Sequence, residues 1–188
     1  WMYFFWEITS VVSFLLIGYT RTAEAIHNCF RALWMNLLGG CGFAVGIVIA
    51  GIQFNVTDMQ SLILCDGKLI VVPAILLSFA ALTKSAQMPF SKWLLGAMVA
   101  PTPSSALLHS ATMVKAGVYL LLRLSPILGD TYAGSMVSLV GGFTFLVMSM
   151  LAITVSDGKK VLAYSTISNL GLITACAGVG AKETVWAG

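Results

Sequence analysis

Residues 131–155 read TYAGSMVSLVGGFTFLVMSMLAITV, and no Asp, Glu, Lys, Arg or His interrupts them. A helix that crosses a bilayer needs about 20 mostly apolar residues, so this stretch reads as one membrane span. Nothing around it alternates with period two, which argues against a membrane barrel. Working outward, similar runs predict spans over roughly 160–180 and 104–123 on either side. Earlier in the chain the runs cover roughly 1–17 and 33–52. A further span begins near Leu69, runs past Lys84 toward Pro89 and resumes around 90–95. The expectation is an all-α polytopic transmembrane bundle of about six spans, with one discontinuous helix near Lys84–Pro89.

Composition agrees. Of 188 residues 59% are apolar and 9% charged, with a mean hydropathy of +0.94. A soluble domain carries about 25% charged residues. A water-soluble globule, a disordered chain, a disulfide scaffold and a nucleic-acid-binding domain are therefore excluded as classes. The net charge of +3 is too small and scattered to call for an acidic partner. Cys29, Cys41, Cys65 and Cys176 lie far apart with no CxxC spacing, so no ligand set for iron–sulfur, haem or zinc is visible, and no cofactor or metal is expected. They read as small apolar fillers. The chain opens inside an apolar run, without initiator Met or signal peptide. It reads as a single membrane domain, 1–188, from the middle of a longer subunit.

The loops sort by charge. Arg21, Arg31, Lys92, Lys159 and Lys160 belong to loops 18–32 and 156–160 and the stretch around Lys92, on one side. Asp58, Asp66, Lys68 and Asp130 belong to loops 53–68 and 124–130 on the other, with Arg123 at a helix end. The basic side is expected to face the cytoplasm, so the first helix runs inward. Gly42 and Gly46 form a GxxxG that would admit a neighbouring helix closely.

Glu7, Lys84, His109 and Lys115 are ionisable residues within predicted spans. A charge at a helix centre costs about 2.5–3.5 kcal/mol on insertion scales, so such residues usually serve function. Burial lowers the proton affinity of a Lys and raises that of a Glu, both toward physiological pH, which suits a proton carrier. Plainer readings stand beside this one. Glu7 could be an interfacial residue beside the Trp6 anchor. Lys84 could snorkel to the interface. His109 could be a hydrogen-bonding core residue. Pro89 removes a backbone donor, and irregular backbone inside a bilayer is tolerated where it lines a cavity or is buried in protein. His109, Thr112, Met113 and Ala116 share a helical face, Lys115 points elsewhere, and Ser110 and Thr112 could bridge helices or order water. Pro101 and Pro103 read as a rigid helix entry. Tyr164, Ser165, Thr166, Ser168 and Asn169 give the last span a polar stripe that could pack or line a wet path.

Residues 83–122, TKSAQMPFSKWLLGAMVAPTPSSALLHSATMVKAGVYLLL, resemble the signature of the antiporter-like membrane subunits. These are the ion-translocating subunits of respiratory complex I, of multisubunit cation/proton antiporters and of energy-converting [NiFe]-hydrogenases. Phe5-Trp6-Glu7 with residues 13–18 (SFLLIG), and residues 159–171 (KKVLAYSTISNLG), agree in the same order. The resemblance implies that Glu7 is the glutamate of the first proton half-channel and Lys84 its lysine partner on the discontinuous helix. It also implies that His109 is the histidine on the next helix and Lys115 a further lysine. The second half-channel would lie beyond residue 188. At Phe90–Pro101 the commoner His, Pro, Asp and Glu are replaced and Lys92 is gained, a form more like the hydrogenase branch.

The function implied is a proton (or Na⁺) translocating membrane subunit of a redox-driven complex. No phosphate loop, metal cluster or nucleophile triad supplies the energy here, so the chain carries no catalytic centre. A peripheral hydrogenase or dehydrogenase arm and other membrane subunits would be its partners, in a prokaryotic inner membrane. Two alternatives stand: a multisubunit Na⁺/H⁺ antiporter subunit without redox partner, and a structural scaffold.

Overall fold

The computed structural model describes residues 1–56, 58–64, 70–111, 113–129, 131–181 and 184–185. Asp66, Lys68, Cys65, Thr112 and Asp130, singled out above, lie outside the described residues. The described chain is helical, with no strand: α1 Met2–Ile17, α2 Ala23–Phe54, α3 Met59–Leu64, α4 Val71–Lys84, α5 Lys92–Gly96 and α6 Thr102–Ala106. A π-helical turn, Leu107–Ala111, leads into α7 Met113–Leu128, followed by α8 Tyr132–Thr154 and α9 Gly158–Val179. Five of the helical segments are long and apolar enough to cross a membrane: Met2–Thr20, Ala23–Phe54, Thr102–Leu128, Tyr132–Thr154 and Gly158–Val179. The sixth, α4, has 14 residues. At 1.5 Å per residue it covers about 21 Å, short of a hydrocarbon core of about 30 Å. Residues 85–91 after it form turns, and regular helix resumes only at Lys92.

Polarity is inverted relative to a soluble protein. Phe4, Phe5, Val11, Leu15, Met136, Leu139, Phe143 and Leu146 are exposed, while Ser10, Ser13, Asn36, Lys84, Gln87, Thr144 and Thr174 are buried. Apolar surroundings suit the first set; neighbouring helices must satisfy the second.

Three boundaries differ from the sequence reading. The second span starts at Ala23, not near residue 33, because the Thr22 hydroxyl accepts from the Ala25 N–H at 3.2 Å and Glu24 sits in the first turn. Both favour a helix start, so the loop expected over 18–32 is much shorter. The span expected over 104–123 runs from Thr102 to Leu128. Pro126 stays inside it because the Ser125 hydroxyl donates at 2.8 Å to the Leu122 carbonyl that Pro126 leaves without an N–H. The discontinuous helix ends at Lys84 itself, before Pro89.

The GxxxG pair is used. A Cβ at Gly42 would lie 3.2 Å from the Phe79 ring, and one at Gly46 3.3 Å from Leu77, so both glycines bring α2 against α4. A closer approach joins α8 and α9. A Cβ at Gly141 would strike the backbone at Ala175 and Gly171, and Gly178 meets Ser138 and Gly134 in the same way. Gly134/Gly178 and Gly141/Gly171 thus form two reciprocal contacts seven residues apart along antiparallel helices. Ser149 and Ser168 add a hydroxyl pair at 2.6 Å, so Ser168 serves packing, whereas Ser165 and Asn169 are exposed.

The helix ends sort as the charges do. Lys159 Nζ donates to the Ala100 carbonyl at 3.4 Å, and Asn28 lies against Gly96. The starts of α2 and α9 therefore meet the α5–α6 segment at one end, and Gly129 meets Gly180 at the other. Replacing Gly141 with Val should lower the thermal midpoint of the purified full-length subunit by several degrees, since the obstructing atoms are backbone. Gly142→Ala should not, since a Cβ there meets nothing within 4 Å. Thermal unfolding in detergent checks both.

Candidate functional site

The site is built on the end of α4. Met88 precedes a proline, which disfavours helical backbone there, so the chain leaves the helix first. Ala86 takes a left-handed conformation, φ 54°. The Ala86 N–H donates to Thr83 O at 3.2 Å and the Gln87 N–H to Leu82 O at 3.0 Å. This pair of backward bonds closes a helix C-terminus, normally with Gly at the left-handed position. Alanine there costs about 1–2 kcal/mol. Other elements hold the turn in place: Trp93 Nε1 of α5 donates to Thr83 O at 3.0 Å, and the Met88 N–H donates to Thr144 Oγ1 of α8 at 3.1 Å. A Cβ at Gly117 of α7 would strike Ala81 O and Ser85 N, so α7 also packs directly on the turn.

Lys84 is the last residue of α4 and is 1% exposed. A cation there faces the negative end of the helix dipole. Its Nζ donates to Ser10 Oγ at 2.8 Å and to the Trp6 carbonyl at 3.2 Å, and lies 5.4 Å from the centroid of the Trp6 ring. A hydrogen bond to a charged group contributes about 1.5–3 kcal/mol. Two such bonds offset the about 2.5–3.5 kcal/mol of inserting the charge. Lys84 therefore does not snorkel to the interface; it is bonded to α1 inside the bundle.

Glu7 lies between those two acceptors on α1. Its Oε1 is buried without a hydrogen-bond partner. No ion pair joins it to Lys84 within 4.0 Å among the described residues. The carboxylate rests on Gly40 of α2, where a Cβ would collide with it, while a Cβ at Gly39 would collide with Thr83 Oγ1. Adjacent glycines thus receive α1 and α4 on one helix. Asn36, one turn earlier, is 1% exposed and its Oδ1 also lacks a partner.

The buried face of α1 comprises Trp6, Ser10, Ser13 and Ile17. Ser13 Oγ reaches Met113 Sδ at 2.7 Å, tying α1 to α7. His109, four residues before Met113, occupies the π-helical turn; it is 9% exposed and both ring nitrogens are buried without a partner. π-turns inside helices recur at functional sites. Lys115 is exposed and stands outside this cluster. The structure thus brings Glu7 and Lys84 to one junction, with His109 on the adjoining helix. Sequence reading assigned no role to Ser10, Ser13, Gly39, Gly40 or Thr144. The available signal was the spacing of Trp6, Ser10, Ser13 and Ile17, which puts two hydroxyls on the same helical face as the Trp.

The model of the NADH:quinone oxidoreductase/Mrp antiporter transmembrane family matches residues 1–187. The chain is 43% identical over 187 residues to the antiporter subunit mnhA2 of Staphylococcus haemolyticus, covering 95% of this chain and 23% of that protein. It is 42% identical to Na⁺/H⁺ antiporter subunit A1 of Staphylococcus saprophyticus, covering 96% and 23%. It therefore spans about a quarter of the length of these relatives. Its fold superposes on a chain of the Mrp complex from Dietzia sp. with a TM-score of 0.89 at 37% identity, covering 97% of this chain and 21% of that one. It also superposes on a chain of the membrane-bound sulfane sulfur reductase, an archaeal respiratory membrane complex, with a TM-score of 0.83, covering 94% and 38%. Identity there is 23%, so that likeness is one of fold. The chain is a multi-pass membrane protein and belongs to the NADH:quinone oxidoreductase/Mrp antiporter transmembrane family.

Proposed function

We propose that this chain is the proton-handling part of a multisubunit cation/proton antiporter subunit, with Glu7, Lys84, His109 and Lys115 as its carriers. The observation that carries the reading is the placement of Lys84. Its ammonium is buried at the end of a broken helix, bonded to neutral acceptors on either side of a buried glutamate oxygen that has no partner. The lysine can pair with the carboxylate or leave it. In the paired state the ammonium keeps its proton; in the open state it can release it. The proton then passes through bound water toward the unpartnered ring nitrogens of His109. Lys115, on the outer face of α7, would carry it onward.

The antiporter relatives favour an exchange driven by the counter-ion. Each proton moved against 100 mV needs about 2.3 kcal/mol, which a Na⁺ gradient supplies. A redox-driven complex with a peripheral hydrogenase or dehydrogenase arm is the second reading; the residues at Phe90–Pro101 favour it. Both readings make other membrane subunits the partners. The deciding experiment is Na⁺-pulse proton movement in vesicles holding the intact complex without electron donor. Exchange under those conditions supports the antiporter; proton movement that appears only with a donor supports the redox reading.

Lys84→Ala should abolish transport in either case while the complex still assembles, as judged by native gels. Transport at the normal rate would remove Lys84 from the mechanism. Gly40→Ala should cost transport about tenfold, because its Cβ displaces the Glu7 carboxylate and a displacement of about 1 Å can cost far more than that. Glu7→Gln should match or exceed the defect; a Gly40→Ala variant that transports normally shows that the placement of Glu7 is immaterial.

A further inference from the structure

We infer that Ser10 is a neutral docking station for the Lys84 ammonium, competing with Glu7 for the same group. The inference rests on the proposed transport function and adds a positioning residue to it. Ser10 is 2% exposed and accepts the shorter of the two Lys84 hydrogen bonds, 2.8 Å against 3.2 Å to Trp6 O. The Trp6 carbonyl is shared: Thr9 Oγ1 donates to it at 2.7 Å and Ser10 Oγ at 3.2 Å. A serine hydroxyl has one donor and two acceptor lone pairs. With its proton turned to Trp6 O, Ser10 offers its lone pairs to Lys84. Ser13, the other hydroxyl on this face, is engaged with Thr9 O at 2.8 Å and with Met113.

Glu7 and Ser10 are three residues apart, so they are neighbours on one helix surface, with Cβ atoms about 5–6 Å apart. A lysine side chain crosses that distance by rotamer changes alone. The two stations differ in strength, since a bond to an ionised acceptor is roughly twice as strong as one to a neutral acceptor. Docked on Glu7 the ammonium is held; docked on Ser10 it is oriented but weakly bound, which is the state that can lose a proton. Without Ser10 the ammonium falls back to Glu7.

The charged and titratable groups around the pair are few. On α1 there are Glu7 and, one turn before it, Tyr3, which interacts electrostatically with Glu7 and with Cys41 of α2; the Lys84 ammonium lies over the Trp6 ring. On α7, His109 is buried one turn before the helix, and Lys115 and Arg123 are exposed. On α2, Glu24 and His27 are exposed at the far end, where Arg31 contacts His27 at 2.9 Å.

The test is Ser10→Ala and Ser10→Thr in the full-length subunit within its complex, with transport measured across a pH series in vesicles. Ser10→Ala should assemble normally, slow transport near neutrality about tenfold, the scale of one lost hydrogen bond, and displace the pH profile upward. Ser10→Thr, which restores the hydroxyl, should restore both. Wild-type rate and profile in Ser10→Ala overturn the inference. So does an equal loss at every pH with the profile unmoved, which is the signature of packing alone. Intact transport in Glu7→Gln and Lys84→Ala would instead sink the proposed function itself.

Discussion

A buried ammonium must have acceptors, and the bond from Lys84 to α1 is where the bundle meets that demand. Much of the architecture around it follows. The helix that carries Lys84 must stop there, so that the positive charge sits at the negative end of its dipole. α1 must come close enough to offer Trp6 O and Ser10 Oγ. α2 must be free of side chains where the two helices pack on it, and Gly39 and Gly40 meet Thr83 and Glu7 there. A single Cβ at Gly39 would displace Thr83, and one at Gly40 would displace the Glu7 carboxylate.

The same constraint governs the backbone. Inside a bilayer every freed carbonyl or N–H needs a partner from the protein. Two prolines free such groups, and side chains answer locally. Ser125 covers the carbonyl that Pro126 abandons. Trp93 and Thr144 take up groups of the turn that precedes Pro89. Their donors and acceptors come from α5 and α8, so the break in α4 is an interlocked feature rather than a loose end.

What was legible in the sequence followed from composition and period. Lipid rewards uninterrupted apolar runs, and those runs placed the membrane-crossing helices. The starts failed where polar caps extend a helix beyond its apolar part, as at Thr22 and Glu24. The break lies within the expected Lys84–Pro89 stretch, but the residue that makes it was not legible: a proline marks where a helix cannot continue, whereas the stop is made earlier, by Ala86 in a conformation that alanine does not advertise. Buried ionisable residues were found because charge is conspicuous in an apolar chain. Ser10 and Gly40 were not, because a serine and a glycine look ordinary until three helices are seen to converge on them. Lys115 stood out by charge as well, yet its side chain is exposed. Charge within a span therefore marks a candidate without placing it in the buried cluster.

Where the site is rigid bears on how it could work. The turn after Lys84 is held by its own two closing bonds, by Trp93 and by Thr144. Thr144 belongs to α8, which is locked to α9 by reciprocal glycine contacts. A helix displacement at Lys84 would break several of these bonds at once. Rotation of the lysine side chain breaks only its own two, to Ser10 and Trp6. In the proposed mechanism the cheaper motion is therefore rotameric: the backbone of α4 stays fixed while the ammonium moves along α1. Such a rotation leaves the closing bonds of the turn and its ties to α5 and α8 intact.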